Sequence, residues 1–219
     1  METFRGEARE KGVHVYTEMH EVTKDSTGRP LEAVTTYVTP QGTTLGVLRS
    51  DFRNSLNLPD HVFEDAQSKV KYGIRRRGTR IEMFNQQPGK PENTRELEAA
   101  GDAERLQVGC QGFNYYLFGN VDKIKARRVL PVLFMIPGDL STYKFELQYV
   151  REDPDRIVDF TVAIENRFLR LFVHRLEFRY DRRINRIVWY KGLSNIKNDR
   201  GRLMDVVIER SEEHTSELQ

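Results

Sequence analysis

The chain has 219 residues, 38% hydrophobic and 31% charged, with a formal net charge of +2. That length fits one large all-β domain without requiring a second, and so small a net charge gives no ground for a polyanionic partner. A single cysteine, Cys110, excludes an internal disulfide and every multi-cysteine metal site.

Val13–Val22 alternates apolar with polar residues and predicts a first strand, followed by a turn-rich stretch from Lys24 to Pro30. Leu31–Thr39 pairs back, and Pro40-Gln41-Gly42 turns the chain into Thr44–Asn54, giving a three-stranded meander. Leu58-Pro59-Asp60 interrupts it. Shorter strands are predicted at His61–Glu64, Lys69–Arg75 and Arg80–Asn85, then a loop from Gln86 to Asn93. Between Gly112 and Arg127 the rhythm changes. Phe113, Tyr116, Leu117, Val121 and Ile124 fall at helical spacing, with Lys123, Lys125 and Arg127 towards the C-terminal end, where cations complement the helix dipole. Gly119 weakens that helix by about 1 kcal/mol relative to alanine. Val129–Ile136 is a strand, closed by Pro137-Gly138. It is also the longest apolar run, far short of the roughly 18 residues that span a bilayer, so a membrane-spanning protein is not expected.

From Tyr143 onwards one phrase recurs, a short alternation and then a tight charged turn. The phrases are Tyr143–Glu152, Arg156–Glu165, Arg175–Asp181, Arg186–Leu193 and Arg202–Glu209. Serial hairpins of this kind build an antiparallel meander with one covered face. Two meanders and one amphipathic helix predict a mainly β fold: a curved, open antiparallel sheet, or half-barrel, with the helix packed on its concave face.

Met1-Glu2-Thr3-Phe4-Arg5 is polar and lacks the apolar core of a signal peptide. Arg210–Gln219 resembles the translation of an adapter used in short-read DNA sequencing libraries. The expectation is a single domain over 4–209 and a non-native tail over 210–219, with a short polar helix as the alternative. Without the tail the net charge is +4 rather than +2.

The residues that could carry chemistry have simpler readings. His14, Glu18 and His20 share one strand side and are zinc-ligand types. At about 3.3 Å per residue the outer two stand about 20 Å apart, too far for one ion without a bend, so that side reads as a solvated strand face. His174 lacks a nucleophile in a recognisable frame, and Cys110 lacks a neighbour that would lower its pKa. The carboxylate pairs Asp153/Asp155 and Glu64/Asp65 flank turns, where acids are ordinary. Arg75-Arg76-Arg77, Lys123 to Arg128 and Arg182-Arg183, with Phe178, Tyr180, Trp189 and Tyr190, could suit single-stranded nucleic acid, but the interspersed acids argue against it. Anionic lipid headgroups would use the same charges. No catalytic residue, metal or cofactor is expected.

The stretch Leu176–Asp181 with Trp189–Arg202, most of all Gly192–Gly201, resembles an uncharacterised family of exported proteins of Gram-negative bacteria. So does the opening Phe4–Arg9 with Glu18 and His20. The resemblance implies a periplasmic location and a plan similar to the lipoprotein-carrier (LolA/LolB-like) fold, a curved sheet around an apolar hollow plugged by a helix. It supplies no catalytic residues. A lipid or other apolar ligand would then lie against Phe113, Tyr116, Leu117 and Val121 of the helix and against Leu133, Phe145, Leu147, Phe160, Val162 and Trp189 of facing strands. The same residues equally suit a closed core. The rival readings are a structural or interaction module that binds another envelope protein, and, behind it, a hydrolase of lipid or glycan.

Overall fold

Side chains that alternate with period two make one long ribbon of strands, because each strand can bury one face only against the next layer. The computed structural model describes residues 1–78, 80–98, 106–109, 111–166 and 175–212. The strands are β1 (Glu2–Glu10), β2 (Val13–Lys24), β3 (Pro30–Val38), β4 (Thr44–Asp51), β5 (Asp60–Asp65), β6 (Lys71–Arg77), β7 (Arg80–Gln86) and β8 (Asn93–Glu98). After β9 (Leu106–Val108) and the helix α1 (Phe113–Arg127) come β10 (Val129–Ile136), β11 (Ser141–Glu152), β12 (Ile157–Ile164), β13 (Leu176–Asp181), β14 (Arg186–Lys197) and β15 (Leu203–Glu212).

The fold is the predicted one: a large, open, curved antiparallel sheet with a helix on its concave side. The two meanders are not separate. All fifteen strands form one sheet in the order 8-7-6-5-4-3-2-1-15-14-13-12-11-10-9. Strand β1, which the alternation of the opening residues had not predicted, joins the halves by pairing with β2 on one side and β15 on the other. Every neighbouring pair is antiparallel except β9 with β10. Strand β15 runs to Glu212, three residues past the boundary expected at Glu209.

Curvature brings the two ends of the sheet together. The turn after β10 lies over the inner face of β6 and β7, where Met135 packs with Ile74, Ile81 and Met83. The Asn85 amide donates to the Gly138 carbonyl, and Arg95 Nη1 donates to the Leu140 carbonyl at 2.9 Å. The helix rests on the other half. Phe113, Tyr116, Leu117, Val121 and Ile124 meet Leu130, Val132, Phe134, Leu147, Val158, Phe160, Val162 and Phe178 in the largest apolar cluster.

That packing, rather than local preference, holds α1. Its N-cap, Gly112, has no side chain to cap the first turn, and no acid stands there to complement the dipole. Only the far end is well finished: Lys125 and Arg127 lie in the last turn, and the Arg128 N–H donates to the Ile124 carbonyl. A 15-residue helix of this kind is marginal alone in water. Glycine is required at Gly112 because a Cβ there would stand 1.9 Å from the Asn57 carbonyl oxygen, so the helix can begin pressed against the β4–β5 loop.

Leu117 is 0% exposed at the middle of this contact, whereas Phe118 on the opposite side of the helix is 55% exposed. Leu117→Ala is therefore expected to cost about 2–5 kcal/mol in urea unfolding, and Phe118→Ala no more than about 0.5 kcal/mol. Equal losses would show that the helix is not seated as described.

Candidate functional site

Eight of the ten residues expected to line a ligand hollow converge. Phe113, Tyr116, Leu117, Val121, Leu147, Phe160 and Val162 are all in the cluster under α1, and Phe145 packs against its edge. They fill the space between helix and sheet: the Phe113 ring sits 4.7 Å from Phe178 and 5.4 Å from Phe134, centre to centre. The other two face away. Leu133 lies between Val132 and Phe134 on β10 and takes the opposite face, across from Lys144. Trp189 stands on the outer surface of β14, stacked under the Arg179 guanidinium at 4.7 Å. The two best-formed hollows among the described residues do not lie between helix and sheet.

Beside the apolar cluster the interior is polar. Strand alternation turns Glu18 and His20 inward, and His20 lies opposite Thr35 in the β2–β3 register. His20 Nε2 is 3.0 Å from Glu18 Oε2, and its Nδ1 is 2.9 Å from Thr35 Oγ1. A carboxylate can only accept, so Nε2 carries the proton and Nδ1 accepts from the Thr35 hydroxyl. That hydroxyl accepts in turn from Gln111 Nε2 at 3.3 Å. Arg210 donates to Glu18 Oε2 through Nε at 3.0 Å and Nη2 at 2.8 Å. Gly6 lies between these two in the ladder and leaves them room, since a Cβ there would come within 3.0 Å of Glu18 Oε2. A second pair, Arg186 with Glu2, closes the network beside Phe4, over whose ring Arg186 lies at 4.0 Å.

A histidine between a carboxylate and a hydroxyl has the order of parts found in nucleophilic catalysis. Here Thr35 is 1% exposed, and the Phe4 ring stacks on His20 at 4.3 Å. Among the described residues the group is buried, and each member already has a partner. The network instead satisfies polar groups inside the sheet. Sequence reasoning placed Glu18 and His20 on one strand side but read that side as solvated, and it missed Thr35, Gln111 and Arg186 altogether. His14 does not join them: its Nε2 lies near the Tyr16 carbonyl and Thr17 Oγ1. Arg210, the main cation here, is the first residue of the stretch that resembles an adapter. Cys110 and His174 lie outside the described residues. Among those residues, no group of three His, Cys, Asp or Glu side chains is placed to hold a metal ion, and no helix is long and apolar enough to cross a membrane.

The outer face carries the larger hollow, about 420 Å³, bounded by Arg151, Asp153, Asp159, Arg179, Trp189 and Glu209. Arg151 Nε donates to Asp159 Oδ2 at 2.7 Å, and Arg179 Nε lies 3.7 Å from Asp159 Oδ1.

No protein-family model matches this chain, and no curated protein matches it. Among solved structures it is similar to the beta-barrel-like protein of domain of unknown function DUF1849 from Brucella abortus. That similarity has 10% identity, covers 96% of this chain and 93% of the other, and has a TM-score of 0.44.

Burial sets the protonation of the interior. It drives the His61 ring down to about 4, against the opposing hydrogen bond to the Pro59 carbonyl, and it also lowers His20 despite Glu18. Burial alone would raise Glu18, but Arg210 and His20 outweigh it and hold the carboxyl at about 2. Both histidines are thus neutral in the fold, while the unfolded chain takes up protons near pH 6.5. Stability is expected to be flat above that pH and to fall as pH drops from 6.5 towards 4. His61 alone accounts for about 3 kcal/mol, at about 1.4 kcal/mol per pH unit. The contribution of Glu18 persists lower, fading only from about 4.5 towards 2. Urea midpoints measured across this range should decline, and His61→Gln should flatten the slope between pH 6.5 and 4. An unchanged slope in the variant would show that His61 is not buried neutral.

Proposed function

We propose that this protein is a non-enzymatic binding module of the Gram-negative cell envelope that works through its outer surface. The observation that carries this reading is the filled contact between α1 and the sheet. Where a carrier would keep an acyl-sized space, Tyr116, Leu117, Leu147 and Val162 are each 1% exposed or less. A solid interior of this kind stiffens the sheet and leaves recognition to the surface, where the hollow beside Trp189 lies. The envelope location comes from the family resemblance of the Gly192–Gly201 stretch.

One observation favours a second reading, the apolar carrier. The helix lacks an N-terminal cap and has Gly119 at its centre, so it is held by tertiary contact alone. A lipid chain could replace that contact if the helix lifted away. In this reading the eight converging residues would line the hollow only when occupied.

Native mass spectrometry of the protein purified from a Gram-negative periplasm, with mass spectrometry of its organic extract, separates the two. The bare chain mass and no stoichiometric lipid are expected. A lipid at one equivalent that is lost in Leu117→Trp would overturn the proposal in favour of the carrier.

A further inference from the structure

Five side chains stand in one transverse row on the outer face of the sheet. Arg151 of β11 lies opposite Asp159 of β12, Asp159 opposite Arg179 of β13, Arg179 opposite Trp189 of β14, and Trp189 opposite Glu209 of β15. At about 4.8 Å between strands the row is about 19 Å long. Cross-strand ion pairs stabilise many sheets, and a ladder of charges alone would need no further account. Two features go beyond a ladder. The same row bounds the hollow of about 420 Å³, on the outer face of a sheet curved the other way. Each flank of the hollow also carries a β-bulge. Val150 is the extra residue in β11, between Tyr149, which faces Phe160, and Arg151, which faces Asp159. Val188 is the extra residue in β14, between Ile187, which faces Tyr180, and Trp189, which faces Arg179. Bulges add local twist and re-aim side chains. Here the second one brings both Val188 and Trp189 to the hollow, while Ile187 and Tyr190 pack inside.

From this arrangement we infer a binding site for a neutral polyhydroxylated ligand, a short linear oligosaccharide. The inference rests on the outer surface being the working face. The charges choose the ligand class. Two arginines face three carboxylates, Asp153, Asp159 and Glu209, so a phosphate or other polyanion is repelled by the acids. A cation is opposed by Arg151 and Arg179. A sugar hydroxyl is both donor and acceptor and can use the guanidinium N–H groups and the carboxylate oxygens in turn. Arg179 stacks on one face of the indole, and the other face supplies an apolar plane against which the C–H face of a sugar ring packs. A row that alternates donor and acceptor across five strands suits an extended chain better than a compact one.

Trp189 is the single tryptophan, so intrinsic fluorescence reports on this site alone. Maltotetraose, cellotetraose and chitotetraose are titrated separately into the full chain, with inorganic phosphate and putrescine as ionic probes. At least one sugar is expected to give a saturable shift with a Kd of about 1 mM or tighter, and the ionic probes none. Asp159→Ala and Arg151→Ala keep the reporter and are expected to weaken binding at least tenfold with unchanged urea midpoints. Trp189→Ala, followed by calorimetry, should abolish it. Saturation by phosphate or putrescine instead of sugar would overturn the ligand class. Silence from all three sugars would overturn the sugar site while leaving the outer-surface reading intact, whereas a stoichiometric lipid in the extract removes that reading itself.

Discussion

The pairing of β1 with β15 is the constraint on which the rest of the structure depends. Almost every other pair of neighbouring strands is a hairpin, closed by a few residues of local chain. This ladder joins the two ends of the sequence: Glu7 faces Glu209, Ala8 faces Ile208 and Arg9 faces Val207. Its sequence separation, and with it the closure entropy, is the largest in the sheet. Once formed, it turns two one-sided sheets into a single curved one. Curvature then allows the turn after β10 to reach β6 and β7, and leaves α1 a concave surface on which to lie. Without it, the turn after β10 would not be held over β6 and β7.

Much of this was legible in the sequence because alternation and turn chemistry are local. The span of β10 was read to the residue, and α1 to within one. What failed did so for identifiable reasons. Strand β8 is Asn-Thr-Arg-Glu-Leu-Glu, a polar edge with Leu97 as its one large apolar residue, and edges are often protected in this way. Leu133 sits in the continuous apolar run Val129–Ile136, where composition cannot say which face a residue takes. Trp189 was misassigned for a different reason. Counting by twos from the inward Ile187 puts it inside, and the extra residue Val188 reverses that phase. A one-residue slip exchanges the faces of everything beyond it.

The polar interior was illegible because its logic is transverse. Glu18 and His20 resemble a solvated strand face when β2 is read alone. Only the neighbouring strands show otherwise: Phe4 covers His20, the Thr35 hydroxyl donates to its Nδ1, and Gly6 opens space for a guanidinium. Burying a charge without such partners costs far more than one hydrogen bond returns. Each member is therefore required by the others. The outcome is a histidine, a carboxylate and a hydroxyl in catalytic order, buried in the sheet with an aromatic ring stacked on the histidine.

The same physics bears on where this sheet can form a concave surface. A curved sheet packs its concave face most densely, and among the described residues the two best-formed hollows lie outside the contact of helix and strands. The opposite face of a smoothly twisted sheet offers no concavity of its own. A hollow arises there only if something interrupts the regular pleat, and a β-bulge does so without breaking the ladder on either side. Two bulges within four adjacent strands, at Val150 and Val188, bracket the row from Arg151 to Trp189. The cost of each is local twist and an unpaired backbone group, tolerable on a wet surface and expensive within the core. Strand pairing can thus supply the framework while its interruptions create a specific surface.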